Sequence, residues 1–132
     1  MRKNTYTGIN IQYPISQLIL TGEKTIETRT YPIPVKYLGQ DMLMIETPGK
    51  SGKFKSRIVA VICFGECFQY KNSKEFYKGT KLHCVTQDSP WAWNDEKPRW
   101  GWRITKMKKI SNPPDLLKKT GIVYTTELSY NF

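Results

Sequence analysis

The sequence predicts a mostly β member of the α+β class, a small barrel or strongly curved sheet with short helices at its ends. Candidate strands recur at 8–12, 25–31, 42–46, 57–68, 100–107 and 122–126, the second of them rich in β-branched residues. Segments with helical signals are few and short. No linker, repeat or low-complexity stretch interrupts the 132 residues, so a single core and one domain over 1–132 are expected.

Gly8 to Gln12 alternates as a strand, and Tyr13-Pro14 then opens a helix whose buried face is Ile15, Leu18 and Ile19. Gly22 suits a left-handed cap after "SQLILT", which stops that helix near Thr21. Thr25 to Tyr31 reads as a strand ended by Pro32 and Pro34, with Thr25, Glu27, Arg29 and Tyr31 on one face. The long run 57–68 is expected to bend at Gly65. Ser73 is read as the N-cap of "KEFYKG", and Pro114 as the start of a short helix "DLLKK" closed by Gly121.

Composition narrows the function classes. With 39% hydrophobic and 24% charged residues the chain is globular. The balance of 21 Lys+Arg against 11 Asp+Glu gives a net charge of +10, a field that concentrates polyanions such as nucleic acid. The charge is uneven: residues 97–119 hold eight basic side chains and one acid, and 50–57 hold four and none. Cys63, Cys67 and Cys84 are too few and odd in number for a disulfide framework, so reduced thiols and a cytoplasm-like compartment are expected. No apolar stretch has the length of a signal or membrane segment.

The densest chemistry lies in "TGEKTIETRTYPIP", residues 21–34. Glu27 and Arg29, two apart on a strand, project side by side, with Lys24 at the strand entrance. Such a group either closes a helix-to-strand corner as an ion-pair network or grips a ligand, arginine supplying a planar fork and lysine a movable point charge.

Gly22 to Arg29, "GEKTIETR", resembles the G-x-K-x-x-E-x-R signature of the ASCH family, relatives of PUA domains. The preceding helix "PISQLILTG", the proline-rich turn and the late aromatic strand "WGWRITKMKKI" extend the resemblance over nearly the whole chain in outline. It implies a PUA-like β-barrel with a cleft lined by Lys24, Glu27 and Arg29. The function it implies is binding of RNA or a nucleotide-like ligand. Alternatively the same three residues serve a hydrolase, a ribonuclease or an amidohydrolase of a modified nucleoside such as N4-acetylcytidine. Members resembling that deacetylase carry a threonine where this chain has Glu27. A protein-interaction module is the third reading.

Trp91 and Trp93, then Trp100 and Trp102, form two W-x-W pairs that place their rings on one face wherever the chain is extended. With Lys97, Arg99 and Arg103 interleaved they suit a single-strand binder. Core filling competes with stacking for Trp102, whereas Trp91 and Trp93 lie in the polar loop "DSPWAWNDEKP" and suit a wall or lid. The residues expected to touch nucleic acid are thus Lys24, Arg29, Tyr31, Trp91, Trp93, Arg99 and Arg103.

His83, the single histidine, lies beside an expected helix end, which favours a surface or capping role over that of a base. Cys63, Cys67, His83 and Cys84 lack a usual zinc spacing. The Gly-rich phosphate loop, H-E-x-x-H and G-x-S-x-G are all missing, so neither a metal nor a cofactor is implied.

Overall fold

In a computed structural model, residues 4–115 and 124–130 are described. Strands β1 (Asn4–Gln12), β2 (Ile26–Arg29), β3 (Met42–Thr47), β4 (Arg57–Gln69), β5 (Trp100–Lys109) and β6 (Tyr124–Tyr130) form one sheet in the order β2-β5-β4-β3-β1-β6. β1 and β3 run parallel; every other pairing is antiparallel. Short helices α1 (Ile15–Leu20), α2 (Ser73–Lys78) and α3 (Thr80–His83) lie between strands.

The sheet curls as a half-barrel. β2 and β1 are separated by three strands, yet an Arg29 guanidinium nitrogen on β2 donates to the Asn10 carbonyl on β1 at 3.1 Å. Part of the bend comes from β4, whose pairing with β5 shifts register on both sides of Phe64. A Cβ on the adjacent Gly65 would meet a Thr105 methyl at 2.5 Å, so only glycine lets the strands approach there.

β3 is buried on both faces, which explains its unbroken apolar run "MLMI". Met42 and Met44 join Ile9, Ile11, Phe64 and Trp102 in the main core, while Leu43 and Ile45 pack with Ile58 and Val61 on the other side. A satellite cluster of Tyr70, Phe76 and Val85 seats α2 and α3. Glu46, fully buried at the end of β3, accepts from Ser16 Oγ and Gln17 Nε2, both at 2.6 Å, and from Arg57 Nε at 2.9 Å. Both carboxylate oxygens are thereby bonded and α1 is pinned across β3 to β4.

The expected elements appear with shifted ends. β1 begins four residues earlier than the run read from Gly8, and β4 and β5 run past their expected ends. The N-cap of α2 is Asn72 and not Ser73: the Asn72 side-chain oxygen accepts from the Glu75 N–H at 2.9 Å. The expected helix 115–119 and its Gly121 stop lie, apart from Asp115, outside the described residues, as do the first two residues of the strand read at 122–126.

Candidate functional site

The site begins where α1 ends. Gly22 takes φ +84°, its N–H returns to Ile19 O at 3.1 Å, and the Lys24 N–H reaches Leu18 O at 3.0 Å. This reversal sends the Lys24 side chain inward, leaving it 3% exposed. A second segment clamps the turn: Thr25 N–H donates to Leu82 O at 2.8 Å, the Cys84 thiol contacts Glu23 O at 3.4 Å, and Lys24 Nζ donates to His83 O.

From there one charged chain crosses the site. Lys24 Nζ lies 3.7 Å from Glu27 Oε1, and Glu27 Oε2 accepts from Arg29 at 3.0 Å. Arg29 also donates to the Tyr31 hydroxyl at 3.2 Å and lies over the Trp102 ring at 5.5 Å. Burial alone would raise the Glu27 carboxyl, but Arg29 and Lys24 beside it hold it below its ordinary value. Burial lowers the Lys24 ammonium against the pull of Glu27, while Glu27 and Tyr31 keep Arg29 raised against the cost of burial. Glu27 is thereby held as an anion between two cations.

These groups open into a cleft of about 680 Å³, within the ordinary range for small-ligand sites. β1 contributes Asn10, Ile11 and Gln12; the motif contributes Lys24, Glu27, Arg29 and Tyr31. Pro48, Gly49 and Ser56 enter from the β3–β4 loop, and Val85, Trp91 and Arg99 from the segment after α3. Among the described residues lining it, Glu27 is the single carboxylate against Lys24, Arg29 and Arg99. Trp91 is 48% exposed.

Comparison with solved structures places the fold. The ASCH protein of Zymomonas mobilis matches with a TM-score of 0.65 over 84% of this chain and 73% of that one, at 14% identity. A serine-to-alanine variant of it gives 0.66 over 92% and 87% at 13%, and a tyrosine-to-phenylalanine variant 0.62 over 86% and 77% at 15%. The chain has the ASCH fold. No protein-family model matches the sequence, and no curated protein does.

Within the ASCH fold, the residues singled out from sequence divide. Lys24, Glu27, Arg29, Tyr31, Trp91 and Arg99 share the cleft; Trp93 and Arg103 do not line it. The loop 86–99 is turned and not extended, and Trp93 packs on Phe76 at 5.6 Å and donates Nε1 to Asp95 at 2.7 Å. Arg103 pairs with Glu66 at 3.4 Å and covers Phe68. Thr25 is exposed and leaves the face assigned to it, because β2 begins only at Ile26. Asn10 and Gln12 are cleft residues that were not singled out; polar positions alternating with Ile9 and Ile11 are the one trace they leave in the sequence. Among the described residues no three His, Cys, Asp or Glu side chains gather as metal ligands, and no helix is long and apolar enough to cross a membrane.

The surface role read for His83 is corrected by its burial. The ring stacks on Phe76 at 4.2 Å, its Nδ1 accepts from the Val85 N–H at 2.9 Å, and its Nε2 lies 2.7 Å from Phe76 O. A neutral ring protonated on Nε2 satisfies both contacts. Burial lowers its pKa, with the Phe76 carbonyl opposing and Lys24 adding to the shift. The folded state thus resists the proton that the unfolded chain accepts. Stability held above the ordinary histidine value of 6.5 is expected to fall as the pH drops through and below it. His83→Gln should flatten the denaturation midpoint between about pH 7 and 5; an unchanged slope in the variant would discount this role.

Proposed function

We propose that the protein binds RNA or a nucleotide-like ligand in this cleft. The observation that carries the reading is the cationic excess of a cleft walled by a half-exposed tryptophan. Three cations against one carboxylate favour an anionic ligand, and stacking on an aromatic ring contributes about 1–3 kcal/mol per base. The net charge of +10 supports capture of a polyanion at long range. The likeness in fold to an ASCH protein is compatible with this reading and names no ligand.

A titration of short single-stranded RNAs and mononucleotides, followed by tryptophan fluorescence, tests the reading. Lys24→Met keeps the buried stem and removes the charge, and is expected to weaken binding about tenfold or more. Binding curves that superimpose for the wild type and this variant would remove Lys24 from the site.

One observation favours hydrolysis on the same cleft, whether of RNA or of an amide on a modified nucleoside. Burial draws the Lys24 ammonium downward, so its amine is closer to acting as a base than a surface lysine is. Product formation that vanishes in folded Lys24→Met would establish this reading over binding alone.

A further inference from the structure

We infer that Arg99 is the phosphate-holding group of the cleft, so that the ligand is a phosphorylated nucleoside, whether a free monoester or a unit within a strand. The inference rests on the nucleotide-binding reading above and assigns its parts.

The motif cations are already engaged. Lys24 is held by His83 O and Glu27; Arg29 is held by Glu27, Tyr31 and Asn10 O. Their charge is shared with a carboxylate that stays ionised. Arg99 differs. It is 8% exposed, and among the described residues its guanidinium donates only to main-chain carbonyls, Ala92 O at 2.8 Å and Pro98 O at 3.3 Å. Among the described residues no carboxylate lies within ion-pair distance of it. A buried cation without a counter-charge is costly, and an anionic ligand in the cleft supplies one.

Position strengthens the assignment. The Arg99 carbonyl accepts from the Tyr70 N–H at 2.9 Å, which fixes the main chain at the entrance to β5. The bond to Ala92 O orients the guanidinium beside the residue that follows Trp91. An oriented fork for phosphate oxygens and a half-exposed ring on the same loop are the two contacts a nucleotide requires. The motif trio is then left to read the sugar or the base edge. Beside the cleft, the β3–β4 loop supplies Pro48, Gly49 and Ser56 to the lining and exposes Lys50, Lys53 and Lys55. These lysines distinguish the sources, since neighbouring phosphates of a strand lie within their field and a free monoester has none.

The experiment compares a nucleoside, its 5′-monophosphate and a short single-stranded RNA by fluorescence titration and calorimetry. The monophosphate is expected to bind roughly 10- to 100-fold tighter than the nucleoside. Arg99→Met is expected to erase most of that ratio while nucleoside binding persists, whereas Lys24→Met should weaken both forms alike and preserve it. The wild-type ratio needs no variant, so a misfolded Arg99→Met leaves the claim open to refutation. Equal binding of nucleoside and monophosphate would overturn the inference and leave the broader reading standing; absence of binding by all three would overturn both. Loss of RNA affinity in the combined Lys50→Ala, Lys53→Ala, Lys55→Ala variant assigns the phosphate to a strand, and unchanged RNA affinity assigns it to a free nucleotide, while a folded Arg99→Met that keeps the wild-type ratio would overturn Arg99 as its holder.

Discussion

Replacing Glu27 with glutamine is expected to cost about 3–5 kcal/mol of folding stability, the loss seen when one partner of a buried ion pair is removed. Glutamine preserves the volume, so no cavity is made; what changes is that Lys24 and Arg29 face each other without the anion between them. Denaturant unfolding near pH 7 measures the effect. The sign of its pH dependence follows from the lowered carboxyl. Its contribution is complete above the ordinary value of 4.5 and is lost as acid carries the pH down through the folded value, so wild type and variant should converge there. Adding Lys24→Met to Glu27→Gln removes one of the two stranded cations and is expected to recover part of the loss, a coupling that a double-mutant cycle reads directly. A loss below about 1 kcal/mol in Glu27→Gln would place the trio among weak surface pairs.

What the sequence disclosed of this trio was its local part. Alternation put Glu27, Arg29 and Tyr31 on one face, and the glycine after "SQLILT" marked the reversal that turns Lys24 inward. Its long-range part left no trace. The acceptor for Lys24 is a main-chain carbonyl 59 residues away, and every residue type carries that group. The Arg29 contact to Asn10 O exists because the sheet curls, a property of accumulated twist and bulges that no single segment announces. Arg99 and Arg103 look equivalent in the sequence, yet one precedes β5 and lines the cleft while the other sits on the strand and pairs with Glu66. Trp91 and Trp93 part company for a related reason: period-two reasoning assumes an extended chain, and their loop is a succession of turns.

Truncating Trp102 to alanine is expected to cost about 3–5 kcal/mol and to weaken ligand binding at the same time. The side chain is fully buried in the main core, where its ring meets Phe64 at 5.5 Å and Tyr31 at 5.8 Å, both edge-to-face. It is also the cross-strand partner of Glu27, its Nε1 donates to Tyr31 O at 3.1 Å, and the Arg29 guanidinium rests over its face. The cavity left by alanine therefore opens beneath two cleft residues as well as inside the core. Trp102→Phe separates the two consequences. Phenylalanine retains most of the apolar contact but strands the Tyr31 carbonyl, a loss of about 1–3 kcal/mol, and weakens the cation–π support of Arg29. If the ring positions the cleft, Trp102→Phe should remain folded yet bind RNA or nucleotide more weakly than wild type in the same fluorescence titration. Full affinity in a folded Trp102→Phe would show that Arg29 and Tyr31 are held by Glu27 and Asn10 alone, and the core beneath them would then be filler and not scaffold.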